Sequence, residues 1–370
     1  MRDIAVTLAV FGALPYILRK PWFGIIVWTW LGFMNPHRMA WGFSTTMPFA
    51  YIVALTTIVA MLFSKEPKRI PWTRETVVLL CFVAWMCITT FFAAYPALAE
   101  EQLIKVLKIQ LMIFVAMMLI TSKERLNWLV LTIALSIGFY GFKGGIFTII
   151  NGGVHRVQGP PGTFIDGNNE LGLAMAMTVP LLYYCAPQMG SRWLRYGLLT
   201  VVVLTAIAAI GTQSRGALLG MAAMGLMFWI KSRQKFTIAF YAAIAILVLS
   251  AIMPPEWYER MSTIKTYEKD GSAMGRVNAW WMAWNLASSR LLGGGFETFQ
   301  RQMFQLYAPD PSNVRDVHSI YFEVLGEHGF VGLGLFLLLV AFTWLSASKL
   351  MRATKAIPEM RWLGDLAAMV

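Results

Sequence analysis

Apolar residues run along this chain in long stretches rather than in the strict alternation of a half-buried strand. The runs at 77–92, 111–120, 196–210, 236–253 and 330–345 recur over its whole length. With their flanks, several reach the roughly 17–25 residues a helix needs to cross a bilayer. The pattern predicts spans at 4–18, 22–36, 45–63, 75–93, 101–120, 126–149, 168–186, 193–211, 214–230, 236–253 and 318–346, and a last one starting near 361. The first two, split by Arg19-Lys20-Pro21, are short for full crossings and are expected to be tilted, re-entrant or partly interfacial. The last stops at Val370, so the protein is expected to continue beyond it. The expected fold is an all-α integral membrane protein, a bundle of about eleven or twelve transmembrane segments.

Short basic segments break the pattern at regular places. Lys65 to Arg69, Lys123 with Arg125, Arg192 with Arg195, Lys231 to Lys235 and Lys349 to Lys355 form one set. They alternate with less basic loops at 95–100, 151–167, 211–216 and 254–317. Positive charge marks the cytoplasmic side, so the second set is expected to face outward. Three regions follow: a transmembrane bundle over 1–253, a long periplasmic loop over 254–317 and C-terminal spans over 318–370. The loop carries Trp257, Tyr258, Trp280, Trp281, Trp284 and Phe296, an aromatic content at odds with disorder. Its 279–287 stretch reads as an amphipathic helix near the membrane surface.

Composition agrees. Apolar residues make up 58% and charged residues 14%, against about 45–50% and about 25% in soluble domains, and mean hydropathy is +0.59. The net charge of +12 would suggest nucleic acid in a soluble protein; here it sets topology, and no nucleic-acid partner is expected. Cys81, Cys87 and Cys185 lie in apolar runs without Cys/His metal spacing and are expected to be packing residues. The N-terminus lacks a small-residue cleavage site and reads as a retained membrane segment.

Charges at the outer membrane edge are costly, and four places carry them. Arg215, with Ser214 before it, occupies a tight turn between two apolar runs. Its guanidinium suits phosphate, although an arginine there also snorkels to headgroups or caps a helix. Arg276 lies in the first turns of the loop helix, where Ser272 can cap and an anion is favoured; a solvent-facing arginine has the same spacing. His318 stands where the long loop re-enters the membrane, as a base or as a plain polar terminus. Glu327 and His328, deeper in that span, are polar packing residues or a carboxylate that orients a neighbour. The loop at 151–167 supplies Arg156, and beside it come Lys143, inside an apolar run, and Asn169. Its plain reading is a flexible turn with Asn168 or Asn169 capping the next helix. Cations and one histidine without paired carboxylates or an Asp-rich metal motif suit an anionic, diphosphate-like lipid held without metal or cofactor.

The stretches TQSRGALLG (212–220), GRVNAWWMAW (275–284), LLGGGFETF (291–299) and HSIYFEVLGEHGFVGLGLF (318–336), preceded by GTFIDGNNELGLAMAM (162–177), resemble O-antigen ligases and polymerases. The resemblance covers roughly 155–340. It implies glycosyl transfer at the periplasmic face of a bacterial inner membrane, from a glycan on undecaprenyl diphosphate to a sugar hydroxyl of lipid A–core oligosaccharide. It further implies metal-free chemistry with inversion at the anomeric carbon. By position, Arg215 and Arg276 match the family's essential arginines and His318 its essential histidine, so these three are expected to meet in space. Glu327-His328 departs from the family's more usual acidic-then-aliphatic pair and leaves His328 without a role. The polymerase branch, transfer of glycans to protein side chains, and transport of lipid-linked sugars are the competing functions. The absence of an internal repeat speaks against transport.

Overall fold

The computed structural model describes residues 1–231, 253–262 and 271–369, with single positions between 235 and 247. The span expected at 236–253 therefore lies outside the described residues, apart from its last residue and those single positions. Among the described residues every regular element is helical: α1 (Arg2–Arg19), α2 (Pro21–Met34), α3 (Phe49–Phe63), α4 (Arg74–Phe91), α5 (Pro96–Leu119), α6 (Lys123–Ile150), α7 (Asn168–Cys185), α8 (Arg192–Gly211), α9 (Arg215–Lys231), α10 (Pro255–Ser262), α11 (Gly271–Ser289), α12 (Arg301–Tyr307), α13 (Ile320–Thr354) and α14 (Arg361–Met369), with short 3-10 turns between some of them. By length and hydropathy α4, α5, α6, α8 and α13 can each cross a bilayer, and α2, α3 and the first part of α9 are shorter apolar helices. The chain is an all-α integral membrane protein.

It divides into two compact units. The first comprises residues 1–68 and 119–264 with the last two residues. Its centre is α6, which packs closely along α8 because glycines face the partner. A Cβ on Gly141 would run into the Thr205 hydroxyl, and one on Gly145 into the Leu204 carbonyl. Close backbone approach of this kind is how apolar helices associate where no hydrophobic drive exists between them. Ser122 caps the start of α6 by accepting from Arg125 N at 3.3 Å. At that end the Arg125 guanidinium holds both oxygens of Glu66, at 2.8 and 2.7 Å, and lies 5.5 Å from the Trp22 ring centre. The basic turns before α2, after α3 and before α6 thus share one end of the unit. The loop at 151–167 and the turn between α8 and α9 are tied together at the other end, as Val157 N donates to Gly211 O at 3.0 Å. Charge alternation anticipates this pairing of ends.

The second unit holds 69–118 and 265–368. Helix α13 packs on α4 and α11. It is not continuous: Gly329 has φ +68° and ψ −172°, values closed to a side chain. The break exposes carbonyls that lipid could not satisfy. The stretch at 291–299 and Trp85 of α4 answer them. Gly294 N donates to Gly326 O (2.9 Å), Gly295 N to Glu327 O (2.8 Å), and the Trp85 indole to His328 O (2.8 Å).

Two boundaries differ from the sequence pattern. The loop expected at 95–100 is almost wholly helical, because Pro96 opens α5 and Ala99 N already donates to Tyr95 O at 3.0 Å. The loop helix runs over Gly271–Ser289 rather than 279–287, so Ser272 lies inside α11.

Candidate active site

In the first unit the site residues hang on one turn. Thr212, Gln213 and Ser214 are all buried, and Gln213 adopts φ +54°, a left-handed conformation that costs a non-glycine residue energy. The surrounding bonds hold it there. The Gln213 amide nitrogen donates to Gly153 O (2.9 Å) and Val154 O (3.2 Å), and its amide oxygen accepts from Arg156 Nε (3.2 Å). Its backbone carbonyl accepts from Arg260 Nε at 2.9 Å. Ser214 accepts from Ala217 N (3.2 Å), capping α9, and donates to Asn169 Oδ1 (2.7 Å). Arg215, half-buried, is the first residue of α9.

Neither Asn168 nor Asn169 caps α7, a correction to the plain reading of that loop. Gly167 is its N-cap without a side-chain bond, because both amides are already engaged by the 212–214 turn: Asn168 Nδ2 donates to Thr212 O at 2.9 Å. Arg156 and Lys143 line one cavity, to which neither Arg215 nor Asn169 contributes. Gln213 and Arg260 escaped the sequence reading. Gln213 was visible within the TQSRG turn, but only the left-handed backbone reveals its bridging role; Arg260 had no local signal.

In the second unit α11 supports the strip of chain that ends at His318. Asn278 Nδ2 donates to Asp310 O (2.8 Å) and Asn313 O (3.0 Å), while its Oδ1 accepts from Asp310 N (2.9 Å). Two residues on, the Trp280 indole donates to Val317 O at 3.0 Å, and its ring stacks on Phe322 at 5.1 Å. Gly275 faces Arg315 so closely that a Cβ would come within 2.7 Å of its Cγ. Arg276 therefore sits on the turn of α11 along which the 313–318 strip runs. Its Nε is buried and has no hydrogen-bond partner among the described residues, a rare state for a charged donor.

His318 precedes α13 by two residues and has φ +43°. Its side chain is 38% exposed, with Nδ1 3.8 Å from Asp316 Oδ2. Glu327 is buried in the α13 break, where Oε1 accepts from Glu297 N at 2.8 Å. Next to it, His328 Nδ1 shares a 2.7 Å hydrogen bond with the Thr89 hydroxyl, and the Phe296 ring meets the imidazole edge-on at 4.6 Å. Glu327 thus fastens the glycine stretch to the broken helix, and His328 ties the break to α4. Among the described residues no group of three or more His, Cys, Asp or Glu side chains could hold a metal ion.

Residues 200–337, which include Arg215, Arg276 and His318, match the O-antigen ligase family model. This stretch is similar to O-antigen ligases. Residues 1–189 match, and place the chain in, a family of unknown function (DUF5935). No curated protein and no solved structure matches the chain. The match over 200–337 supports ligase- or polymerase-type glycosyl transfer, with lipid-linked glycan and lipopolysaccharide as the general substrate class, in a multi-pass membrane protein.

Proposed function

We propose that this chain is an O-antigen ligase of a bacterial inner membrane. It transfers a glycan from undecaprenyl diphosphate to a sugar hydroxyl of lipid A–core oligosaccharide at the periplasmic face. The observation that supports the reading most is that the helix carrying Arg276, whose Nε is buried without a hydrogen-bond partner among the described residues, also holds Val317, the neighbour of His318, through the Trp280 indole.

His318 takes the proton of the acceptor hydroxyl as that oxygen attacks C1 of the donor sugar. The new C1–O bond forms opposite the C1–O–phosphate bond that breaks, so the anomeric configuration inverts. The electron pair leaves on the diphosphate, which departs readily and needs no acid. The Asp316 carboxylate, 3.8 Å from Nδ1, offsets the charge of the imidazolium. Arg276 and Arg215 hold the diphosphate and stabilise the charge that grows on it. A cation at the start of α9 opposes the helix dipole, by about 0.3–1 kcal/mol. A bound anion removes that conflict. Asn169 and Ser214 set the Arg215 turn, Lys143 and Arg156 add positive charge on the donor side, and Glu327 keeps the α13 break closed. No step requires a metal.

The test is product identity. Purified protein is given undecaprenyl-diphosphate-linked glycan with and without lipid A–core. Glycan on lipid A–core is the expected product. A longer lipid-linked glycan in the absence of core would replace the ligase reading with a polymerase.

A further inference from the structure

A cavity of about 710 Å³ in the first unit, within the range of small-molecule sites, is lined by Arg2, Arg38, Lys143 and Arg156. We infer that it binds the phosphorylated head of a membrane lipid, with Arg2 and Arg38 as part of the binding set. The inference deepens the reading above, with which it shares Lys143 and Arg156.

None of the four cations has a carboxylate partner among the described residues. Arg2 donates to Met39 O at 3.3 Å and lies 4.7 Å from the Trp41 ring centre. Lys143 Nζ is 5.4 Å from the Phe139 ring centre, and Arg156 Nε is bonded to the neutral Gln213 amide. The acid next in sequence to Arg2 is already used: Asp3 Oδ1 accepts from Gly42 N (3.1 Å), Ser44 N (3.1 Å) and the Ser44 hydroxyl (2.8 Å). That clasp pins the 42–44 turn against the start of α1, and the Arg2 bond to Met39 O holds the Pro36–Met39 turn that carries Arg38 beside it. The clasp also holds the Asp3 carboxyl below its usual range, so it stays ionised there and unavailable to the cavity.

Four like charges around one cavity repel unless an anion joins them. Lys143 carries the strongest demand, since it interrupts an apolar spanning helix two turns before its end at Ile150. Val6, Phe139 and Phe147 supply apolar wall beside the charges. A free inorganic anion has no use for that wall; the first carbons of a lipid tail do. The Tyr140 hydroxyl fixes the wall by donating to the Met34 carbonyl. All four cations fall within residues 1–189, outside the stretch that matches the O-antigen ligase model. The site is thus a property of the N-terminal half.

The experiment titrates purified full-length chain with undecaprenyl diphosphate and follows the ligand-induced rise in Tm, each variant against its own ligand-free baseline. The Arg2→Gln/Arg38→Gln double variant should need about tenfold more ligand or worse, because hydrogen bonds to ionised groups are the strong ones. Arg2→Lys/Arg38→Lys should recover most of the response. Inorganic diphosphate and phosphatidylglycerol vesicles, as competitors, should both be weaker than the isoprenoid diphosphate. The inference is overturned if the glutamine variant titrates like wild type or the lysine variant recovers nothing. It is equally overturned if inorganic diphosphate competes as well as the lipid, which would make the cavity a free-anion site, or if phosphatidylglycerol does, which would make it a generic anionic surface. Binding without any glycan transfer would sink the ligase reading and leave this one standing.

Discussion

The Trp280 indole donates a hydrogen bond to the carbonyl of Val317, 3.0 Å away, and so holds the residue next to His318 against α11. The helix that carries Arg276 therefore sets the position of the histidine. Trp280→Phe keeps an aromatic ring for the stack on Phe322 and removes only the donor. Stability should fall by about 1 kcal/mol, while kcat for glycan transfer falls more than the KM for the lipid-linked donor changes. Steady-state kinetics on the purified variant check it; equal loss in both parameters would mean that Trp280 acts on folding alone.

Gln213 makes the same kind of link in the first unit, between the 153–156 strip and the α8–α9 turn. Gln213→Ala leaves two carbonyls and the Arg156 Nε without their partner and removes the restraint on a left-handed residue. A loss of about 1–3 kcal/mol per unsatisfied buried group sets the scale. Thermal denaturation in detergent should show a marked drop in Tm, whereas Gln158→Ala, in the same loop, should show little.

How much of this was legible in the sequence divides along a physical line. Apolar run length and basic turns located the spans, and the positions of α6, α8 and α9 follow them within a few residues. Arg276 and His318 stood out because a charge at a membrane edge is costly wherever it lies. What stayed hidden depends on contacts between distant segments. The Asn168 and Asn169 amides look like caps locally, yet they serve the 212–214 turn. The three glycines at 293–295 look like a flexible loop, yet the N–H groups of Gly294 and Gly295 close a broken helix. Arg2 and Arg38 look like ordinary terminal and turn cations, and only the fold gathers them with Lys143.

The α13 break yields a sharp structural test. A Cβ at residue 329 would run into the Leu291 carbonyl, at a φ of +68°. Gly329→Ala should cost about 1–3 kcal/mol from backbone strain alone, with the clash in addition. Reduced yield of monodisperse protein and faster proteolysis near 291–299 are the expected signs. A variant as stable as wild type would show that the break is not strained by a side chain.

His37 gives a pH dependence. Burial, with Arg38 beside it, holds its imidazole below the ordinary histidine value. Between that depressed value and the ordinary one, about 6.5, the unfolded chain binds more protons than the folded chain. Stability is therefore present at neutral pH and lost as pH falls through that window. His37→Phe, which keeps a ring near Phe49, should lose less Tm than wild type between about pH 7.5 and about pH 5.5. Equal losses would remove His37 as the cause.

The central claim is metal-free glycan transfer with His318 as the base. The measurement is the rate at which glycan from undecaprenyl diphosphate appears on lipid A–core in the presence of a chelator, for wild type and for His318→Ala at matched folding. Wild type should keep its full rate under chelation, and the variant should fall by about 10²–10⁴-fold, the range of general base catalysis. A variant that transfers at the wild-type rate, or a wild type silenced by the chelator, would contradict the account.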